Sequence, residues 1–238
     1  MLANSPPTMN GIGALNASVQ KAGTFREELV DFIENELPTW RDRPDRKAEV
    51  AETILTSQVC AHLNSAARRS PGWDILQFRS EEADEEQRGR KIDLVAAPVG
   101  CAIIIEGRRH TDFDPLMPIE CKRLPTPKGT DRDEREYVIS SKSTTGGIQR
   151  FKAGHHGSAH NFAAMIGYLQ EDDVEKWSDR IDGWIKAVAV AEPGWSVGDR
   201  LSLHRSDLGR RVARLKSSHT RNNGLPDIEL RHLWVGMA

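Results

Sequence analysis

Between Lys91 and Leu124 the chain carries three apolar runs of strand length, and two of them are broken by charge. Lys91 to Ala97 (K-I-D-L-V-A-A) reads as a strand and Pro98-Val99-Gly100 as a turn. Cys101 to Glu106 reads as a second strand, residues 107–117 as a polar loop, and Pro118 to Leu124 as a third strand. A charged side chain inside such a run is costly unless it has a purpose. Asp93 interrupts the first run; Glu120 and Lys122 interrupt the third. Residues i and i+2 of a strand share a face, so Glu120 and Lys122 project together while Cys121 points the other way.

Around this cluster the apolar period changes. Thr24 and Glu27 have the spacing of a helix capping box, and Phe25, Leu29, Phe32 and Ile33 form a stripe that Pro38 should end. A second helix is expected from about Pro44 to Ala67, with Ala48, Ala51, Leu55, Val59, Leu63 and Ala66 on its apolar side. Trp73 to Phe78 reads as a short strand, and the acidic run 81–86 with Gly89 as a loop. Pro125 to Lys142 reads as an exposed excursion, Gly146-Gly147 as the opening of a helix, and a further helical stretch reaches Leu169. Gly183 to Ala191 and Ile228 to Val235 read as strands. Residues 1–22, rich in Asn, Ser, Pro, Gly and Ala, read as a flexible leader, leaving 23–238 as one domain. The order of elements implies an α/β or α+β sheet flanked by helices.

Composition narrows the class. Of 238 residues, 38% are hydrophobic and 29% charged, the balance of a globular chain, and no apolar run is long enough to span a bilayer. Three cysteines without CxxC spacing argue against a disulfide framework and fit a reducing cytoplasm. The net charge of −2 does not announce a nucleic-acid binder, but 142–156 and 204–221 are locally basic.

Two carboxylates beside an amine suit phosphodiester cleavage. The carboxylates can hold a hard divalent cation, Mg²⁺ or Mn²⁺, through oxygen. Such a cation lowers the pKa of a bound water and polarises the phosphate, and the amine stabilises the charge that develops. Lys142, Arg150 and Lys152 are candidates for DNA backbone contacts, with the helix N-terminus at Gly147 as a further donor. His156 and His160 have i, i+4 spacing beside His155, but no glutamate follows the first, as a hydrolytic zinc helix requires. Trp177, Trp184, Trp195 and Trp234 are expected in the core or in a lid.

Asp93 followed by Glu120-Cys121-Lys122 resembles the signature of the PD-(D/E)XK nuclease superfamily. The stretch G-G-I-Q-R-F-K-A-G-H-H-G (146–157), with A-A-M-I-G-Y-L (163–169), is similar to the segment after the E-x-K strand in bacterial restriction-like and phage-defence members; residues 217–234 also look like those proteins. Ile92 stands where the signature has proline, and Asp114 in D-P-L-M-P-I-E-C-K rivals Asp93 as the aspartate. The resemblance implies an α/β fold with a restriction-endonuclease-like core, a central mixed β-sheet flanked by helices, and metal held by Asp93, Glu120 and the backbone carbonyl of Cys121. It also implies a helix glutamate near the metal, Glu52 or Glu49 with Glu52 nearer the apolar stripe, and a supporting amide at Gln149. The activity implied is Mg²⁺-dependent hydrolysis of DNA in prokaryotic defence or restriction, as a homodimer or with a partner protein. The alternative is a catalytically silent module that binds DNA or a partner.

Overall fold

The computed structural model describes residues 24–84, 89–130, 132–142, 146–221 and 224–237. The expected leader, and residues 85 and 86 of the acidic run, lie outside them. Two helices come first, α1 (Thr24–Arg41) and α2 (Glu52–Ala67), followed by β1 (Leu76–Ala83), β2 (Lys91–Pro98), β3 (Ile103–Ile105), β4 (Arg108–His110) and β5 (Met117–Leu124). Then come the short α3 (Gly147–Lys152), β6 (Phe162–Leu169), α4 (Val174–Ala191), a 3-10 turn (Val197–Asp199), β7 (Ser202–Asp207), β8 (Val212–His219) and β9 (Ile228–Gly236). Seven strands form one mixed sheet in the order β1-β2-β5-β6-β9-β8-β7, while β3 and β4 pair only with each other. β5, β6 and β9 run parallel at the centre and the outer pairs are antiparallel. No helix among the described residues is long and apolar enough to cross a membrane.

Each face of the sheet has its own core. Leu94, Ile119, Cys121, Ile166 and Leu233 pack beneath α1 and α2. Met165, Leu215, Leu230 and Trp234 pack on the other side beneath α3, α4 and Tyr137–Ile139. The first face is also pinned by charge. Glu27, Asp31 and Glu34 recur at helical spacing along α1, and each meets arginine from the three strands below: Arg231 (2.5 Å to Glu27), Arg214 (2.5 Å to both Asp31 and Glu34) and Arg205 (2.7 Å to Glu34). β7 is the exposed edge strand, and its register with β8 shifts between Leu203 and Arg205.

Several sequence expectations need correction. Pro38 lies inside α1, which runs on to Arg41 because Leu37 and Trp40 are buried and the Arg41 guanidinium donates to the carbonyls of Arg210 and Gly236. α2 starts at Glu52, not Pro44. β1 continues through Glu81 and Glu82, which the acidic pattern suggested were loop. In the second apolar run only Ile103–Ile105 is strand, in the side hairpin. The 125–142 excursion buries Tyr137, Val138 and Ile139 as a lid on the second core. Phe162–Leu169 is a fully buried strand, not helix: between β5 and β9 its alanines and glycine allow close packing, and a Cβ at Gly167 would stand 2.5 Å from the Trp234 ring. Residues 183–191 belong to α4, whose Trp177, Ile181, Ile185 and Val188 fall on one buried helical face. Trp177 and Trp234 are fully buried, while Trp184 and Trp195 pack at the margin of the second core.

Candidate active site

The site grows from a defect in the sheet. β2 and β5 pair only from Leu94–Ile119 to Ala96–Met117 and then diverge, whereas β5 stays paired with β6 as far as Leu124. The β5 edge that faced β2 is left with amides that need acceptors. Asp93 Oδ2 accepts from the Cys121 N–H at 2.9 Å, and Glu52 Oε2, from the first turn of α2, accepts from the Arg123 N–H at 2.8 Å. Two carboxylates therefore replace the missing strand. Glu49, which precedes α2, has no part in this arrangement. Asp114 caps a turn through the Thr111 hydroxyl (2.5 Å) in the loop after β4. Of the two aspartates, Asp93 stands with Glu120.

Lys122 gathers these groups. Its Nζ lies 2.6 Å from Glu120, 3.6 Å from Glu52 and 3.7 Å from Asp93, and donates to the Cys121 carbonyl at 3.1 Å. Glu120 is wholly buried. Its Oε1 accepts from Lys122 and from Arg150 (2.5 Å), and His156 Nδ1 stands 3.0 Å from Oε2. Burial opposes the charge on Glu120, but Lys122, His156 and Arg150 outweigh it and hold the carboxyl well below the usual range. Burial likewise opposes the Lys122 charge, and Glu120, Asp93 and Glu52 overcome it, raising that amine. Asp93 is the exception: burial first, then the nearby Glu120 charge, push it up to about 6 despite Lys122.

Glu52 and Asp93 open onto a cavity of about 170 Å³, edged also by Thr53, Thr56, Ser80 and Glu81. Glu81 stands across from Asp93, between the Ser80–Leu94 and Glu82–Ile92 pairs, and its φ of 53° is left-handed. Such an all-oxygen lining is the donor chemistry of a hard divalent cation. Three carboxylates already converge on the Lys122 ammonium. They meet that amine and not one another, and among the described residues no three His, Cys, Asp or Glu side chains form a ready-made metal cage. Of the expected metal ligands only Asp93 edges this cavity, since Glu120 is engaged by Lys122, Arg150 and His156 and the Cys121 carbonyl accepts from Lys122; the residues that fit a cation here are Asp93 and Glu52.

The other sequence candidates fall elsewhere. Gln149 spends its Oε1 on the amides of Ser140 (3.1 Å) and Gly146 (3.2 Å), bracing the start of α3 and not the carboxylates. The first amides of α3 are not free for phosphate, because Gly147, Ile148 and Gln149 donate to the carbonyls of Glu136, Tyr137 and Val138. That close approach requires Gly147, where a Cβ would stand 2.9 Å from the Tyr137 carbonyl. Arg150, expected on DNA, reaches Glu120. Lys142 is exposed and donates to the Thr130 carbonyl. Lys152 does not face solvent: its buried amine is 2.7 Å from Asp199. The histidines do not assemble as a zinc set, since His156 turns to Glu120 and His160 packs near His110.

Asp199 also begins a buried polar string. His219 Nδ1 is 2.6 Å from Asp199, Ser217 Oγ lies between His219 Nε2 (2.6 Å) and His232 Nε2 (2.8 Å), and the Tyr137 hydroxyl lies between His232 Nδ1 and Trp234 Nε1, each 2.8 Å away. The indole N–H can only donate and the carboxylate can only accept, so every proton in the string points toward Asp199. His219 carries its proton on Nδ1 and His232 on Nε2. Ser217, His219 and Asp199 stand in the order of a hydrolytic triad, but the serine is buried and its oxygen is committed to both histidines.

Neither a family model, nor a curated protein, nor a solved structure matches this chain.

Proposed function

We propose that the chain is a Mg²⁺- or Mn²⁺-dependent endonuclease of the PD-(D/E)XK kind, acting on DNA. One observation carries the reading: Asp93 from β2, Glu120 and Lys122 from β5, and Glu52 from α2 meet at the point where β2 and β5 part. The succession α2, β1, β2, β5, crossover, β6, with β5 and β6 parallel, supports a restriction-endonuclease-like core around that point. A divalent ion bound there would supply a water of lowered pKa and charge neutralisation at the phosphate. Asp93 and Glu52 would hold the ion, their orientation set by the β5 amides. Lys122, beside that ion, would offer its ammonium to the charge that develops on the phosphate. Glu120, fixed by Arg150 and His156, keeps that ammonium charged and aimed. A role in prokaryotic defence or restriction is part of the proposal and rests on the resemblance of residues 146–169 and 217–234 alone.

The test is nicking of supercoiled plasmid with Mg²⁺ or Mn²⁺. Wild type is expected to cut, with Lys122→Ala and Glu120→Ala slower by at least about 100-fold, the size of effect that loss of one electrostatic stabiliser produces. The saturation of Glu120 by three cationic or donor partners favours one second reading, a catalytically silent module. DNA retention without cutting under either metal would select it.

A further inference from the structure

α2 borders two different openings. Glu52, Thr53, Thr56 and Ser57 edge the carboxylate site, whereas Ala61, His62 and Ser65, on the opposite side of the helix, edge a separate cavity of about 460 Å³. Its other walls are Trp40, near the end of α1, and the segment that carries Arg43, Asp45, Arg46 and Lys47. Three cationic side chains thus face one carboxylate. Arg43 is paired with Asp45, but among the described residues neither Arg46 nor Lys47 makes an ion pair. The Arg46 guanidinium lies over the Trp40 ring at 5.2 Å and donates to the Arg41 carbonyl.

Trp40 Nε1 and His62 Nδ1 have no hydrogen-bond partner but are closed off from the cavity, so what Trp40 offers there is its ring. The His62 ring is anchored by Nε2 on Glu36 at 2.8 Å, which leaves Nδ1 as its second polar atom. Arginine and lysine together are the residues that hold phosphate, and cavities of roughly 300–1,000 Å³ are the size that holds small organic ligands.

We propose that this cavity binds a small phosphate-bearing anion of the nucleotide class, at a site separate from the carboxylate centre. Arg43 and Lys47 take the phosphates, and Arg46 shifts from the indole to join them. The site does not depend on the nuclease reading.

Isothermal titration calorimetry with ATP and with inorganic pyrophosphate, in EDTA and at low salt, tests it. Saturable binding is expected, weakened by about tenfold or more in the double variant Arg43→Ala/Lys47→Ala. Both side chains are exposed, so the fold should survive, and an unchanged melting temperature of the free protein checks this. Binding should be unaltered in Glu52→Gln and Asp93→Asn. No binding by wild type overturns the proposal. So does binding that the double variant leaves intact, or binding lost in Glu52→Gln, which moves the ligand to the carboxylates. A single-stranded oligonucleotide that needs Arg43 and Lys47 while ATP and pyrophosphate do not bind also overturns it and gives this face to nucleic acid.

Discussion

Asp93, half-buried, and Glu120, wholly buried, are carboxylates beside the same ammonium, yet their ionisation is driven in opposite directions. Glu120 has three partners that reward its charge. Asp93 has one backbone amide and a more distant lysine, so burial and the Glu120 charge dominate. A folded-state value of about 6, above the ordinary 3.8, means that the metal-free folded protein loses stability as pH rises between those values. Asp93→Asn should therefore raise the metal-free melting temperature at pH 7.5, and the gain should vanish near pH 4; a thermal melt series across that range decides it. His219 and His232 act with the other sign. Burial holds both below the ordinary 6.5, so the unfolded chain takes up protons first and stability falls as pH drops through that value. The unfolding free energy from urea melts between pH 7.5 and 5, measured in Asp93→Asn to remove the opposing contribution, should decline by up to about 1.4 kcal/mol per pH unit for each histidine. At this scale much of the site was legible. Charges inside apolar strands exposed Asp93, Glu120 and Lys122, and the helical wheel favoured Glu52 over Glu49. What the sequence hid were Arg150 and His156 as partners of Glu120, since contacts 30 and 36 residues away across a crossover leave no local periodicity. Lys152 looked like surface because its counter-ion, Asp199, is supplied by a distant turn.

At the scale of elements, β6 shows where local pattern misleads. Ala163, Ala164, Met165 and Gly167 have the look of a helix, and it is the pairing on both edges, with β5 and β9, that imposes the strand. The small residues are there for clearance. Gly167→Ala should overpack against Trp234 and cost about 1–3 kcal/mol, read from denaturant unfolding, although alanine favours helix and would be harmless if this segment were helical. α4 was missed for the converse reason. Val188 and Val190 suggested a strand, but the buried positions recur every three or four residues and Asp173 caps the first turn by accepting from the Lys176 amide. β2 and β5 were legible because apolar runs bounded by turns leave little choice, and β9 because polar and apolar residues alternate, whereas β7, exposed at every residue, has no apolar face to betray it.

For the whole molecule, α1 is fastened to β7, β8 and β9 by its row of acids on three arginines, a link between the first and last described segments. Arg214 is the buried member, 2% exposed and 2.5 Å from Glu34. Arg214→Ala should cost about 3 kcal/mol, the lower end for a broken buried pair, since Arg205 still reaches Glu34. Arg214→Met, which refills the volume, should cost less, and chemical denaturation of both variants compares them. The rims of the sheet also bear on how the protein behaves among its own copies. An outermost strand with a regular row of unpaired amides invites a neighbour to add to it. Here one rim kinks at Glu81 and the other slips at His204, so neither offers an even template. Growth of the sheet into fibrils is thereby discouraged at both ends, and the irregularity that edges the carboxylate-lined cavity also acts as a stop.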